Sequence, residues 1–384
     1  MAQSAPKAPA RTSTTPSDTA TAKTEQWISL GFSSARYTIG DSAVKEGTGN
    51  FSYDLRTGRF HFAVDGSSVN YSTPSRTISG MVPTSLTLDM MVHNGDTLTL
   101  LGRTGSQPAN LDSAQLVAIG VSGGTLLDMQ SINFGTQAMT GAHGTLTFPM
   151  GDVVLNLRGG IEIEPRPSAL TRAYWRGTTM LGGATLTGKT AKGDWSGVVD
   201  YSTSTADSLG GRNLYPGGGD FTAQFNLHAP LDNPAVAGGE DWDTRWSANL
   251  YIPISASRTD QPNRLVPVGP MYWFTGALTV PIGEGSVGAS ASYSGASSSA
   301  QRALASASSS SWATSVALNG SIPIAKGIEL VPEIGTVAGS SDVSLGVAGV
   351  RRPGRPLGPG GSRTTSIASG VSGSWMSLSL TFTF

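Results

Sequence analysis

The carboxyl end of the chain reads Trp375-Met-Ser-Leu-Ser-Leu-Thr-Phe-Thr-Phe384. Met376, Leu378, Leu380, Phe382 and Phe384 share one face of an extended strand; Ser377, Ser379, Thr381 and Thr383 share the other. The split follows from the pleat, which turns successive side chains to opposite sides. One face is apolar, the other small and hydroxylated, and neither carries a charge. A strand half-exposed to water usually displays Lys, Glu and Arg on its polar face. A membrane barrel needs none of these: lipid meets the apolar face and the small polar face lines a lumen.

The same pattern runs upstream. Trp246, Ala248, Leu250, Ile252 and Ile254 alternate with Ser247, Asn249, Tyr251 and Ser255. Tyr272, Phe274, Leu278, Val280 and Ile282 alternate with Thr275, Ala277 and Thr279. Trp312, Val316, Leu318, Ile322 and Ile324 alternate with Ser315, Asn319 and Ser321. From about Asp152 these segments approach the 9–11 residues of a tilted membrane strand. Candidate strands fall near 152–163, 174–188, 195–204, 219–228, 244–256, 271–282, 286–296, 312–324, 328–337, 342–350, 364–371 and 374–384, about 12 in all. Gly283-Glu284-Gly285 and Ala325-Lys326-Gly327 read as short turns, and Gly295–Ser311 as a long polar connection. Residues 229–243 and 351–363 would be unusually long connections on the short-turn side. Trp175, Trp195, Trp246, Trp273, Trp312 and Trp375 lie at or near strand starts, as interfacial girdles would place them.

The terminal strand resembles that of Gram-negative outer-membrane β-barrel proteins, in which an alternating strand ending in an aromatic residue is read by the barrel-assembly machinery. The resemblance implies an all-β transmembrane antiparallel barrel, an outer-membrane location, and Met376, Leu378, Leu380, Phe382 and Phe384 as the assembly signal. It implies no transport substrate. Ile132-Asn133-Phe134-Gly135 followed by Met139-Thr140-Gly141 resembles strand–turn phrases of small β-barrel domains in bacterial surface proteins such as transferrin-binding lipoproteins.

Composition agrees with a barrel. Of 384 residues, 50 are Gly and only 13% are charged, about half the share of a typical soluble domain. Lys plus Arg is 25 and Asp plus Glu is 26, which leaves no basic footprint for nucleic acid. The absence of Cys removes disulfides, thiolate metal sites and cysteine nucleophiles. The longest apolar runs, such as Leu116–Val121, are far short of a membrane helix.

Residues Met1–Gln26 are rich in Ala, Pro, Ser and Thr and read as a disordered leader without an intact signal peptide. Residues 27–150 read as a β-rich region of short strands, with Asn94-Gly95 and Arg56-Thr57-Gly58 as hairpin turns. This region is expected to be a separate domain, a plug or extra barrel strands.

Candidate chemistry is sparse. Gly120-Val-Ser-Gly-Gly124 matches a nucleophile pattern but lacks the following helix that the motif needs. His61, His93, His143 and His228 show no metal-ligand spacing; His61, His93 and His228 read as packed or exposed sheet residues. Glu240-Asp241-Trp242-Asp243 could hold Ca²⁺ or form a solvated acidic loop. Arg351, Arg352 and Arg355 could touch lipid phosphates or lipopolysaccharide, or belong to a solvated loop. Glu329 and Glu333 are two residues of the same parity, so both would face the lumen, where they could favour cations or simply pair with Arg. No enzyme activity and no cofactor are expected.

These readings give an outer-membrane barrel of about 12 strands in residues 151–384, acting as a passive pore or a barrel-anchored surface protein. Its expected partners are outer-membrane lipid, lipopolysaccharide and the barrel-assembly machinery, with a homo-oligomer or surface-protein partner also open. Two other readings stand beside it: one barrel of roughly 16–20 strands over the whole chain, and a soluble β-rich structural or binding protein of a surface layer, filament or virion.

Overall fold

The computed structural model describes residues 24–39, 42–72, 77–93, 95–105, 138–164, 174–175, 178–205, 207–209, 212–215, 219–232, 241–253, 270–302, 305–347 and 363–384. Their strands are β1 (Glu25–Ile39), β2 (Ser42–Thr57), β3 (Phe60–Ser72), β4 (Thr77–His93), β5 (Asp96–Arg103), β6 (Met139–Met150), β7 (Val153–Ile163), β8 (Tyr174–Trp175), β9 (Thr178–Lys189) and β10 (Asp194–Ser204). There follow β11 (Asp207–Leu209), β12 (Arg212–Tyr215), β13 (Gly219–His228), β14 (Asp243–Pro253), β15 (Met271–Ile282), β16 (Gly285–Arg302), β17 (Ala305–Ala325), β18 (Ile328–Val347) and β19 (Arg363–Thr383).

All but β8, β11 and β12 close into one antiparallel barrel of 16 strands, each paired with its sequence neighbours and β19 returning to β1. The three short strands form a small sheet of their own. Closure leaves no edge strand, so every ladder is paired on both sides, as backbone in hydrocarbon must be.

The expectation of about 12 strands is therefore corrected. Residues 152–384 supply ten barrel strands, because 328–337 and 342–350 are one strand, β18, and 364–371 and 374–384 are one strand, β19. The middle of each is rich in Gly and Ser. In the barrel they let backbones approach. A Cβ on Gly373 would lie 2.6 Å from the Arg36 carbonyl, and one on Gly339 2.2 Å from that of Trp312. Residues 27–150 contribute β1–β6 to the same barrel, and the described residues form no separate amino-terminal domain. Met139-Thr140-Gly141 begins β6; Ile132–Gly135 lies outside the described residues, as do Leu116–Val121, Gly120–Gly124, Glu240 and Arg351, Arg352 and Arg355. The leader likewise lies outside them up to residue 23, and β1 begins at Glu25, inside its expected span.

Gly295–Ser311 is corrected too. It is mostly a hairpin, with Ser297 opposite Ser310 and Arg302 opposite Ala305. A Ser/Ala run has no lipid-facing alternation to mark it as strand, so sequence periodicity cannot see it. Both ends of the described chain, Thr24 and Phe384, and the turns closed by Gly58, Gly95, Gly151, Gly283 and Gly327, all at positive φ, lie at one end of the barrel. β18 ends and β19 begins at the opposite end, and Leu231 bridges Trp242 at the turn end.

The outer surface is the apolar face. Leu250, Phe274, Val316, Leu318, Ile334, Met376 and Leu378 are all exposed there, with Phe32 reaching 68% and Phe384 70%. An apolar band of this extent would be a liability in water; against lipid tails it is the surface that holds the barrel in place. The last strand is pinned at both sides: Thr383 N–H donates to Gly327 and Phe384 N–H to Gln26.

Candidate functional site in the barrel lumen

The site is the inner wall, set by parity. Once Leu30 and Phe32 face out, the odd residues of β1 face in, and register carries that choice to each neighbouring strand. Glu46, Asp54 and Arg56 of β2, His61 and Asp65 of β3 and Asp89 of β4 share the inner face. Farther round come Arg103, His143, Arg158, Glu162, Asp200, Asp220, Asp243 and Arg245. Glu329 and Glu333 lie on the face of β18 opposite exposed Ile334, which puts both on the inner side. Carboxylates clearly outnumber guanidiniums on this wall.

Three arrangements organise the charge. First, His61 sits between two acids: Nε2 is 2.6 Å from Asp54 Oδ1 and Nδ1 2.8 Å from Asp89 Oδ2. Carboxylates only accept, so a ring protonated on both nitrogens satisfies both contacts. Thr99 donates to the other oxygen of Asp89 at 2.5 Å. Second, Arg158 of β7 reaches past β9 to Asp200 of β10, with Nε donating at 2.6 Å and a second guanidinium nitrogen on the other oxygen. The strand between them carries Gly183, whose Cβ would lie 1.9 Å from Asp200 Oδ1. Glycine there opens the path for a bidentate pair across three strands. Third, at the turn end, His228 lies 3.2 Å from Asp194 and 2.7 Å from Asp243, which also accepts from Arg245 Nε at 2.9 Å.

The two sequence-predicted lumen acids are not joined to these groups. Ser321 donates to Glu329, and Trp375 Nε1 donates to Glu333 at 2.8 Å. The Trp375 ring lies over Gly335, where a Cβ would meet it at 2.2 Å. Trp375 therefore faces inward, not to a lipid girdle, and Trp273 shares the inner parity. Trp246 and Trp312 do face out, and Trp195 shares their side of the wall. Trp175 lies in the small sheet. Asp243 of the proposed Ca²⁺ loop is held by His228 and Arg245 instead. Among the described residues no group of three or more His, Asp or Glu has the geometry of a metal site.

No local sequence pattern marks the His61 and Arg158 arrangements. Parity places each of these side chains inward, but their pairing depends on which strand stands beside which. The carboxylates that bracket His61 come from β2 and β4, and Asp200 is 42 residues from Arg158 in sequence.

A closed barrel of 16 strands, apolar outside and polar within, defines an outer-membrane β-barrel of the porin fold. No protein-family model and no curated protein sequence matches the chain. Solved structures do. OccK2 (OpdF) of Pseudomonas aeruginosa, crystallised in complex with glucuronate, is similar over 94% of this chain and 98% of its own, at 11% identity and a TM-score of 0.50. The anion-selective porin of Comamonas acidovorans is similar over 94% and 100%, at 10% identity and a TM-score of 0.43. OprB of Pseudomonas putida is similar over 94% and 93%, at 9% identity and a TM-score of 0.45. What this chain shares with OccK2 is the fold.

Proposed function

We propose that the chain is a passive diffusion channel of the outer membrane whose lumen favours small hydrophilic cations. The observation that carries this reading is the excess of carboxylates over guanidiniums on the inner wall. Glu329 and Glu333 add to it, because their partners are the neutral Ser321 and Trp375. A wall of one predominant sign raises the local concentration of ions of the other. Glu329 and Glu333 are the lumen residues that set the preference on the β18 side. The outward row Met376, Leu378, Leu380, Phe382 and Phe384 serves as the assembly signal for the barrel-assembly machinery, and outer-membrane lipid, including lipopolysaccharide, is the solvent of the outer face.

The experiment is single-channel recording of the detergent-purified chain in a planar bilayer under a salt gradient. Reversal potentials should give a cation preference, and Glu329→Gln with Glu333→Gln should reduce it without loss of folded barrel. Gln keeps an acceptor for Trp375. A conducting barrel with no cation preference would overturn the selectivity, and a folded barrel without conductance would overturn the channel.

A further inference from the structure

On the outer face of the closure seam, four adjacent strands change character at nearly the same level. Moving away from the turn end, the outward residues of β1 run Ile28, Leu30, Phe32 and then Ser34, Arg36, Thr38. Those of β19 run Leu380, Leu378, Met376 and then Ser374, Ser372. β2 passes from Tyr53 and Phe51 to Lys45, and β3 from Phe62 and Val64 to Ser68 and Asn70. Arg36 stands nine residues along β1 from Trp27, which pairs with Thr383 beside the chain end. Since 9–11 tilted residues cross the hydrocarbon, this level is the interface farther from the turn end.

There Arg36 and Lys45 stand directly opposite each other in the β1–β2 ladder, both exposed and both facing out. Like charges directly opposed destabilise a sheet. Neither cation meets a carboxylate among the described residues, and the outward positions beside them hold no acid: Ser374 in the same row, Ser34, Thr38 and Ser372 in the adjoining rows. Among the described residues the charge therefore has no partner, and it stands where lipid headgroups stand. Hydroxyls surround it, and each can donate to a phosphate oxygen. An Arg–phosphate contact is frequently bidentate, and a neighbouring ammonium adds a point charge.

We propose that Arg36 and Lys45, assisted by the Ser374 hydroxyl, bind the phosphate of an anionic lipid headgroup in the leaflet farther from the turn end. The proposal rests on the reading of the chain as a membrane barrel and assigns the outer face one lipid site. Filling it removes the repulsion between the two cations and holds β1 against β2 beside the seam where the barrel closes.

The test uses the full chain folded into phosphatidylcholine vesicles, with or without diphosphorylated lipid A. Two quantities are measured: the barrel's melting temperature, and the lipid A retained after exchange into mild detergent. The wild-type chain should melt higher with lipid A. Arg36→Gln with Lys45→Gln should lose that gain and retain about tenfold less lipid A, whereas the charge-keeping pair Arg36→Lys with Lys45→Arg should keep most of both. Inorganic phosphate added to plain vesicles should change nothing. Equal retention by the wild type and the Gln pair overturns the site, and so does an equal gain from inorganic phosphate. If the Gln pair fails to fold, dephosphorylated lipid A on the wild-type chain decides: no gain supports the site and a full gain overturns it. The readout contains no current. A barrel that responds to lipid A but does not conduct keeps this site and loses the channel; the opposite result keeps the channel and loses the site.

Discussion

The inner wall has two arcs that solve one problem in different ways. From β2 round to β14 it carries long charged side chains, many of them paired: Asp54–His61–Asp89, Arg158–Asp200, Arg245–Asp243. On β15, β16 and β17 the inward residues include Thr275, Ala277, Thr279, Ser290, Ser292, Ser315, Ala317 and Asn319, with no charge among them. Here polar groups are satisfied by short local bonds, as between the Ser292 and Ser315 hydroxyls at 2.6 Å. Long paired side chains fill space and carry a field; short hydroxyls leave space and carry none. The lumen is therefore electrostatically uneven, with its charge on the first arc and, through Glu329 and Glu333, on β18.

The outer faces of the two arcs should be alike, and the largest effect tests that. Leu250 on β14 belongs to the charged arc and Leu318 on β17 to the neutral one; both face out. Arg at either position should cost roughly 2–4 kcal/mol if it lies near the bilayer midplane, read as lost folded yield in lipid vesicles. Asn249→Arg and Asn319→Arg, one residue away and inward, should fold nearly normally because the guanidinium keeps its water. Leu→Ala at the two outer positions separates lipid from packed protein. Against fluid lipid the loss stays near the transfer value of roughly 1.5–3 kcal/mol or below; in a packed core a cavity would raise it to roughly 2–5 kcal/mol. Leu→Ala as damaging as Leu→Arg at both sites would sink the lipid-facing assignment.

Next in size is the bridge across β9. Gly183→Ala would push a methyl group into Asp200 and the Val199 carbonyl. It should lower barrel stability by about 1–3 kcal/mol, measured as the midpoint of urea unfolding in vesicles. Gly144→Ala is the control, because its Cβ would meet nothing within 4 Å. Equal effects at the two glycines would mean that the bridge does not need the gap.

Smaller still is Arg158→Ala. Its guanidinium and the Asp200 carboxylate are partly exposed, so screening limits the stability loss to about 1 kcal/mol or less. The sharper readout is selectivity: freeing Asp200 should raise the cation preference in reversal-potential measurements. A fall in preference would show that Arg158 is not the group neutralising this acid.

The smallest effects should come from the neutral arc. Ser292→Ala removes one partly exposed hydroxyl contact and should change stability by roughly 0.5–1.5 kcal/mol at most, with selectivity unmoved. Ser290→Asp should instead import the property of the opposite arc and raise the cation preference. If Ser290→Asp leaves reversal potentials unchanged in a conducting barrel, the uneven field does not govern permeation.

Much of the wall was legible along the chain, and the reason is local. Alternation records which side of a strand meets lipid, so Trp246, Leu250, Phe274, Val316 and Leu318 could be turned outward from their spacing alone, and Glu329 and Glu333 inward. The signal failed where that cause was absent. Ser297–Ser310 has no lipid pattern, so its hairpin read as loop; Gly339 and Gly373 read as breaks because their role is to admit a neighbouring backbone. Trp375 faces inward because its parity, not its aromatic identity, sets its side of the wall.

By itself, then, the sequence determined the class of structure and the facing of individual strands, since the pleat makes side-chain direction a property of each residue and its neighbours. Only the tertiary structure decided how many strands close the barrel and what the lumen charges touch. β19 meets β1, with Leu378 beside Phe32 and Trp375 beside Ala35, across almost the whole length of the chain. Arg158 meets Asp200 only because β9 runs between them with glycine at the crossing. Such contacts depend on register summed from strand to strand round a closed ring, and no local pattern carries that sum.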